Sequence, residues 1–181
     1  MTARDKYTVW DTSRMNEAVK SDAELIGWSL EGDDDAFVEF VRRHTGAISS
    51  FVVRRVGLAA AEDVLSEVWI AAFRSRSTYD LSRPNARPWL FGVALNTVRR
   101  FWRTRPDEDL MPDVIDAPTV DPWPTVNERI DGRTALRDVL SRLRAEQREV
   151  LFLVVWEELS IAEAAEVLGI PATTARSHLH R

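Results

Sequence analysis

The stretch 160–181, SIAEAAEVLGIPATTARSHLHR, predicts two short helices separated by a tight turn. The first has apolar side chains four and three positions apart, at Ile161, Ala165 and Leu168. Gly169 readily adopts the positive φ that ends a helix, Ile170 returns to the core, and Pro171 fits the first turn of a new helix. The stretch therefore predicts a helix-turn-helix.

The second helix of this pair has chemistry suited to DNA. Ala175 and Leu179 lie four positions apart and should face inward. The side chains left towards solvent are Thr173, Thr174, Arg176, Ser177, His180 and Arg181. Short polar and basic groups can bond base edges and phosphates, so we interpret this helix as a DNA reader. A helical hairpin packed in an unrelated bundle would show the same pattern and stays open as the alternative.

Composition and charge narrow the class of protein. The 181 residues include no Cys, which excludes disulfides, thiolate metal sites and cysteine nucleophiles and fits a reducing compartment. No apolar run approaches the ~20 residues of a membrane span, so we expect a cytoplasmic protein without membrane contact. A net charge of -5 disfavours DNA binding, but the signs are segregated. Residues 87–105 hold five arginines and no acid, and residues 106–128 hold seven acids and no base.

Residues 1–20 lack periodicity and are expected to form a flexible extension, after which helical patterns begin. Ser21 or Asp22 can cap a helix that runs to Leu30. The aspartates at 33–35 favour the start of the next helix through its dipole, and we prefer this interpretation to a metal site. The predicted core residues that follow are Ala36, Phe37, Phe40, Val41, Ile48, Phe51, Val52 and Val56.

Residues 61–76, AEDVLSEVWIAAFRSR, predict a strongly amphipathic helix. Its expected buried residues are Val64, Leu65, Val68, Ala72 and Phe73. Its outer face carries a mixed stripe, called here the Ile70 stripe, formed by Asp63, Glu67, Ile70 and Arg74. This stripe can be interpreted as an ordinary solvent-exposed face. The alternative is a binding site for a protein partner, which the exposed aliphatic side chain among charges favours.

Residues 87–103, RPWLFGVALNTVRRFWR, predict a helix with a basic face. The core-facing set is Trp89, Leu90, Val93, Ala94, Thr97 and Phe101, and the opposite stripe is Gly92, Asn96, Arg99 and Arg103, with Arg100 beside it. Arginines can hold phosphates, and Asn96 can read a base edge. Trp89 or Trp102 can either stack on an unpaired base or lie buried.

The remaining sequence completes an all-α, two-domain prediction, with one small helical domain over 21–103 and a second over 126–181. Residues 104–125 form an acidic linker that holds five of the eight prolines. The second domain has predicted helices over 126–143 and 146–156 before the helix-turn-helix. Because residue 181 falls in mid-helix without a cap, we expect that the natural helix continues further.

Four ordered stretches resemble the extracytoplasmic-function sigma factors, the group IV sigma-70 class of RNA polymerase specificity subunits. They are GDDDAFVEFVRRH at 32–44, AEDVLSEVWIAAFR at 61–74, RPWLFGVALNTVRRFWR at 87–103, and LRAEQREVLFLVVWEELSIAEAAEVLGIPATTARSHLHR at 143–181. The order of the stretches and the linker before the last make the combination specific. The resemblance implies a sigma-2-like domain followed by a sigma-4-like helix-turn-helix domain.

The resemblance also implies protein partners. The Ile70 stripe would dock on the clamp helices of the beta-prime subunit of core RNA polymerase, and the second domain would pack against the beta-flap. An anti-sigma factor is a further candidate partner. No cofactor or metal is implied, and catalysis would be left to the polymerase, so the chain itself is not expected to be an enzyme.

Promoter DNA is the other implied partner. The loop 77–85 would capture a flipped base of the -10 element, and the non-template strand would be held by Trp89, Asn96, Arg99, Arg100 and Arg103. The -35 element would be read by Thr173, Thr174, Arg176, Ser177, His178 and Arg181. The implied function is promoter recognition and strand opening.

Other interpretations compete with this one. A stand-alone LuxR-type regulator would have motifs similar to QREVL and TTARSHL. Such regulators commonly carry an α/β sensing domain, but the first half of this sequence shows no alternating strand pattern. A helical interaction protein would leave the arginines around Asn96 without a purpose. An enzyme is disfavoured because His44 is isolated, and His178 and His180 diverge on a helix.

Overall fold

The computed structural model describes residues 20–105, 140 and 142–180. Within these ranges every regular element is helical, in agreement with the all-α prediction. The α-helices are α1 (Asp22–Leu30), α2 (Asp34–Ser75), α3 (Arg87–Arg103), α4 (Ala145–Val155), α5 (Ile161–Leu168) and α6 (Ala172–His180), with a 3₁₀ turn at Arg76–Thr78.

The predicted start signals of α1 and α2 are confirmed. Ser21 Oγ accepts a hydrogen bond from Glu24 N at 3.3 Å, and Glu24 Oε2 accepts one from Ser21 N at 2.7 Å. This reciprocal capping box satisfies backbone donors that the first turn of a helix leaves free. Asp33 caps α2 by accepting from Ala36 N at 3.2 Å. The aspartate run therefore begins a helix, as its sequence position indicated.

Helix α2 is one element in place of the two separate helices that the sequence suggested. It bends at Gly57, where φ is 74° and ψ is 168°, values that break the helical backbone and suit glycine. The second segment of α2 contains the predicted amphipathic helix 61–76 except for its last residue, because α2 ends at Ser75 and Arg76 begins the 3₁₀ turn. Buried residues from both segments of α2 belong to one core with residues of α1 and α3.

The amino-terminal core is built from aromatic and aliphatic side chains, with Phe40, Phe51 and Phe91 almost fully enclosed. Most predicted core residues are buried, but Val41, Leu65, Trp89, Val93 and Phe101 are only partly so. The prediction that Phe73 is buried is wrong, since the ring is 38% exposed. Four buried residues of α3 were missed, namely Pro88, Phe91, Leu95 and Val98. They were missed because α3 contacts α2 and also α5, which widens its buried face.

The predicted helix-turn-helix is confirmed. Gly169 ends α5 with φ 67° and ψ 33°, and Ile170 N donates to Ala165 O at 3.0 Å to close the turn. Pro171 lies one residue before α6, and its carbonyl accepts from Thr174 N and Ala175 N. The predicted stripe of α5 packs with Val150, Ala175 and Leu179 into a small separate core. A second face of α5, with Ala164 and Val167, joins the larger core.

Several predictions concern residues outside the described ranges. They are the extension 1–19, the linker from 106 onward, nearly all of the helix 126–143, and Arg181. In the part of the chain that the structure describes, no helix is long and apolar enough to cross a membrane.

Candidate nucleic-acid interface

The outer face of α3 is basic and open to solvent. Asn96, Arg99, Arg100 and Arg103 are all exposed, and α3 contains no acidic residue. We call these four residues the α3 face. Two of its arginines lie in the last turn of α3, where the helix dipole favours positive charge. The helix therefore holds cationic side chains on a rigid support, as required for contacts to phosphates.

The Ile70 stripe is exposed along its whole length, as predicted, with Ile70 itself 50% exposed. Phe73 adds to its apolar part, contrary to the expectation that this ring would be buried. The ring of Phe73 stands edge-on to Phe37, with centroids 5.0 Å apart, and the Arg76 guanidinium lies 3.7 Å from its centre. The result is a fixed apolar spot among charges, suited to a protein partner.

The loop 77–85 is ordered by its own side chains. Asp80 Oδ1 accepts from Ser82 Oγ at 2.7 Å and from Ser82 N at 3.0 Å, and these bonds lower the pKa of Asp80. The buried Tyr79 hydroxyl donates to Arg83 O, and burial is the main cause that raises the pKa of Tyr79 to about 12. The loop thus presents an exposed tip on a fixed base.

Asp22 anchors the far end of this loop and was missed as an anchor by the sequence prediction. Asp22 N donates to Pro84 O at 3.1 Å, and Ala86 N donates to Asp22 Oδ2 at 2.9 Å. Arg43 Nη1 donates to Asp22 Oδ1 at 2.8 Å, and His44 Nε2 lies 3.1 Å from the same oxygen. Burial raises the pKa of Asp22, but these partners outweigh burial and hold it below its usual value. No local pattern signals a contact between residues 64 positions apart.

The two candidate stacking rings, Trp89 and Trp102, are both partly buried. Trp89 lies beside Tyr79, with centroids 5.5 Å apart, and its Nε1 is 3.4 Å from Thr78 Oγ1. Trp102 Nε1 donates to Arg55 O at 3.2 Å. Trp89 therefore belongs to the base of the loop 77–85, whereas Trp102 braces α3 against α2.

The outer face of α6 is separate from the α3 face, because α5 is the helix of this pair that packs against α3. On α6, Thr173, Arg176, Ser177 and His180 are exposed, whereas Thr174 and His178 are half-buried. Ser177 Oγ donates to Thr173 O at 3.0 Å, a local bond that a DNA contact would have to compete with or share. The two predicted DNA-reading sets thus lie on different helices of different halves of the molecule.

Family models match both halves of the chain. The model described as Sigma-70 region 2 matches residues 40–106, and the model described as Sigma-70, region 4 matches residues 133–181. The first match lies where a LuxR-type regulator would carry its sensing module. The stand-alone regulator therefore has no support.

Relatives span nearly the whole chain. The RNA polymerase sigma factor NccH of Alcaligenes xylosoxydans xylosoxydans is 30% identical over 88% of this chain and 89% of its own. The ECF RNA polymerase sigma factor SigW of Bacillus subtilis is 30% identical over 83% of this chain and 87% of its own.

A solved structure shares the fold. The sigma factor RpoE of Bartonella quintana, solved in complex with the anti-sigma factor NepR, superposes with a TM-score of 0.59 at 20% identity, over 80% of this chain and 90% of that one. Together with the two family models and the relatives, this places the chain in the extracytoplasmic-function group of sigma-70 family RNA polymerase sigma factors.

Proposed function

We propose that this sigma factor divides promoter recognition between the α3 face with its neighbouring loop 77–85, which would hold the opened -10 strand, and helix α6, which would read the duplex -35 element. As a member of its family the chain binds core RNA polymerase and directs promoter-specific initiation. It would supply specificity and no catalytic group, and it would act in the cytoplasm with the polymerase.

The observation that carries this proposal is the pairing of an acid-free basic helix with an ordered loop. Arg99, Arg100 and Arg103 can neutralise the phosphates of a single strand, while Asn96 can bond a base edge. The loop 77–85 stands beside them on the fixed base of Tyr79 and Trp89. Single strands are held by such combinations of backbone charge and pockets for unstacked bases.

Helix α6 has a different chemistry, suited to an intact duplex. Its exposed Thr173, Arg176 and Ser177 are compact enough to enter a major groove, where donors and acceptors of base edges are distinct. Thr174 and His178 would contribute from the edge of this face. Arg181, outside the described residues, is proposed as a phosphate contact that continues it.

We assign polymerase binding to the Ile70 stripe extended by Phe73. Charged side chains surround a central apolar spot, the arrangement in which a few buried side chains dominate binding. The beta-prime clamp helices are the proposed target, and the second domain would contact the beta-flap. An anti-sigma factor is a proposed further partner, since the similarly folded RpoE was solved with one.

Reconstitution tests the proposal as a whole. Purified chain added to core polymerase should produce transcripts that start at particular promoters and that require both a -10 and a -35 element. Transcription that does not require the -10 element would contradict the role of the α3 face and the loop 77–85. Transcription that does not require the -35 element would contradict the role of α6.

A further inference from the structure

Asp22, the first residue of α1, is an acidic residue that the fold buries, since only 5% of its surface is exposed. The preference of acids for the first turn of a helix does not explain this burial, because Glu24 in the same turn stays in solvent. Burying a charged group costs free energy unless polar partners replace the lost water. The burial of Asp22 therefore points to a role in holding such partners in place.

The two carboxylate oxygens of Asp22 serve two different parts of the fold. Oδ1 accepts a hydrogen bond from Arg43 Nη1 at 2.8 Å and lies 3.1 Å from His44 Nε2, and both of these side chains come from α2. Oδ2 accepts from Ala86 N at 2.9 Å, at the start of α3. The carboxylate is thus oriented by α2 and holds the residue at which α3 begins.

Helix α3 depends on this contact because its own cap residue has no polar side chain. Ala86 is the N-cap, and Pro88 in the first turn has no N–H to donate. Asn85 Oδ1 accepts from Arg87 N at 3.0 Å, whereas Ala86 N donates to Asp22. A carboxylate at this end of a helix is also favoured by the helix dipole. Asp22 therefore fixes the start of α3 from a distant part of the chain.

The same residue holds the end of the loop 77–85. Asp22 N donates to Pro84 O at 3.1 Å. The loop also has an ion pair between Arg83 and Glu166 of α5, but these two side chains are 52% and 46% exposed. Ion pairs in solvent contribute little to stability, whereas charge-assisted hydrogen bonds out of water are among the strong ones. Asp22 is therefore the stronger of these two constraints on the position of the loop.

The loop 77–85 and the α3 face are the two parts of the proposed -10 surface, and Asp22 contacts the chain where the loop leads into α3. Contacts between arginines and phosphates are electrostatic and tolerate small displacements. A pocket for one unstacked base is less tolerant, because the groups of a binding site must be held within about 0.5 Å of the productive geometry. Discrimination between bases should thus depend on how firmly the loop is held relative to α3.

We propose that Asp22 is a positioning residue for recognition of the -10 element. Its carboxylate, oriented by Arg43 and His44, fixes the loop 77–85 relative to the α3 face and does not itself touch DNA. The inference rests on the proposed function, because it takes this loop and this face as the -10 surface. It adds a buried residue on which the choice of base depends.

Asp22→Asn tests the assignment in the complete chain bound to core polymerase. An amide has one acceptor oxygen in place of two, so it cannot serve both Arg43 and Ala86 N. Binding is compared between single-stranded oligonucleotides that differ at one -10 base, and the base with the largest effect in the parent defines the captured position. This preference, typically about 5- to 150-fold for one base, should fall to about twofold or less in the variant.

Affinity for an oligonucleotide of unrelated sequence separates positioning from general damage to the protein. This affinity is carried by phosphate contacts of the α3 face and should change by less than about twofold in Asp22→Asn. A partly unfolded protein would instead lose affinity for every sequence. A loss of preference at constant unrelated-sequence affinity is therefore the expected signature.

Matched variants control for stability and charge. Val64→Ala opens a cavity in the same core, at a residue that is 1% exposed, and should lower stability while keeping the base preference. Arg43→Leu should reduce the preference because Oδ1 loses its charged donor, and it provides the test if Asp22→Asn does not fold. Arg42→Leu, at the exposed neighbouring position on α2, makes the same charge change and should keep the preference.

An unchanged base preference in Asp22→Asn and Arg43→Leu would overturn the inference and leave the proposed function intact. An equal loss of preference in Val64→Ala or Arg42→Leu would also overturn it, by showing a general effect of stability or charge. A parent protein with no base preference at any -10 position would contradict the proposed function itself, and the inference with it.

Discussion

Arg100 Nη2 lies 2.6 Å from Glu67 Oε2, so one residue of the α3 face is paired with one residue of the Ile70 stripe. The two proposed surfaces, for DNA and for polymerase, are therefore linked by this ion pair. If polymerase engages Glu67, Arg100 loses its partner and becomes available to a phosphate. Polymerase binding and strand binding would be coupled through this contact.

Replacing Glu67 with Gln should strengthen binding of the free chain to single-stranded -10 DNA. The pair is more than half exposed, so its contribution is limited to about 1 kcal/mol, and the gain should not exceed about fivefold. Fluorescence anisotropy with a labelled oligonucleotide measures this. Glu62→Gln, the same charge change at another exposed position of α2, is the control. Equal gains in both variants would show a general charge effect and no specific pairing.

Replacing Ile70 with Asp should weaken binding to core polymerase by at least about tenfold, because an unpaired charge at the centre of an interface is poorly tolerated. Val38→Asp is the matched control, since Val38 is also on α2 and is 63% exposed but lies outside the stripe. Both variants should keep their helical circular dichroism. Equal binding of the two variants to core polymerase would contradict the assignment of polymerase binding to the Ile70 stripe.

Gly169→Ala should destabilise the helix-turn-helix by about 1–2 kcal/mol, the cost of a Cβ in the left-handed region. A Cβ at this position would meet no atom within 4 Å, so backbone strain alone sets the cost. Gly169→Asn should cost less, because Asn tolerates this conformation better. Urea unfolding of the three proteins should rank them in that order, and an Ala variant as stable as the parent would contradict the observed turn.

The stability of the protein should fall at acid pH partly through Asp22. Its pKa is lowered in the folded state, so its contribution is complete above the unfolded value of about 3.9 and is lost as pH falls through the folded value. Asp22→Asn should cost about 1.5–3 kcal/mol at pH 7 through lost charged hydrogen bonds. It should also flatten the acid limb of the stability curve. Urea titrations between pH 7 and pH 3 measure both effects, and parallel curves for the two proteins would exclude this role.

Local chemistry explains what could be predicted from the sequence. Ser21, Asp33 and Gly169 act within one helical turn of themselves, so their roles as caps follow from neighbouring residues alone. The bounds of α3 and the exposure of the Ile70 stripe follow from helical periodicity in the same way. Whether each exposed residue binds its proposed partner stays a prediction.

Contacts between distant residues explain what could not be predicted. Phe91 and Val167 are buried in one core that α2, α3 and α5 share, and Phe91 lies 5.2 Å from Phe51 of α2 between ring centroids. The ion pair of Arg83 with Glu166 joins positions 83 residues apart, and neither residue shows a pattern that selects the other. Phe73 was wrongly predicted as buried. Periodicity indicates on which face of a helix a residue lies, but it does not indicate how much of that face the neighbouring helices cover.

The most direct test of the α3 face is strand opening by Asn96→Ala combined with Arg99→Ala, followed by permanganate reactivity of unpaired thymines. With core polymerase on a duplex promoter, this variant should leave the -10 thymines unreactive, whereas the control Arg42→Ala, an exposed arginine on α2, should open them normally. Transcription by the double variant should partly recover on a template already melted across the -10 region. Normal thymine reactivity on the duplex promoter with the double variant would contradict the assignment of strand opening to the α3 face.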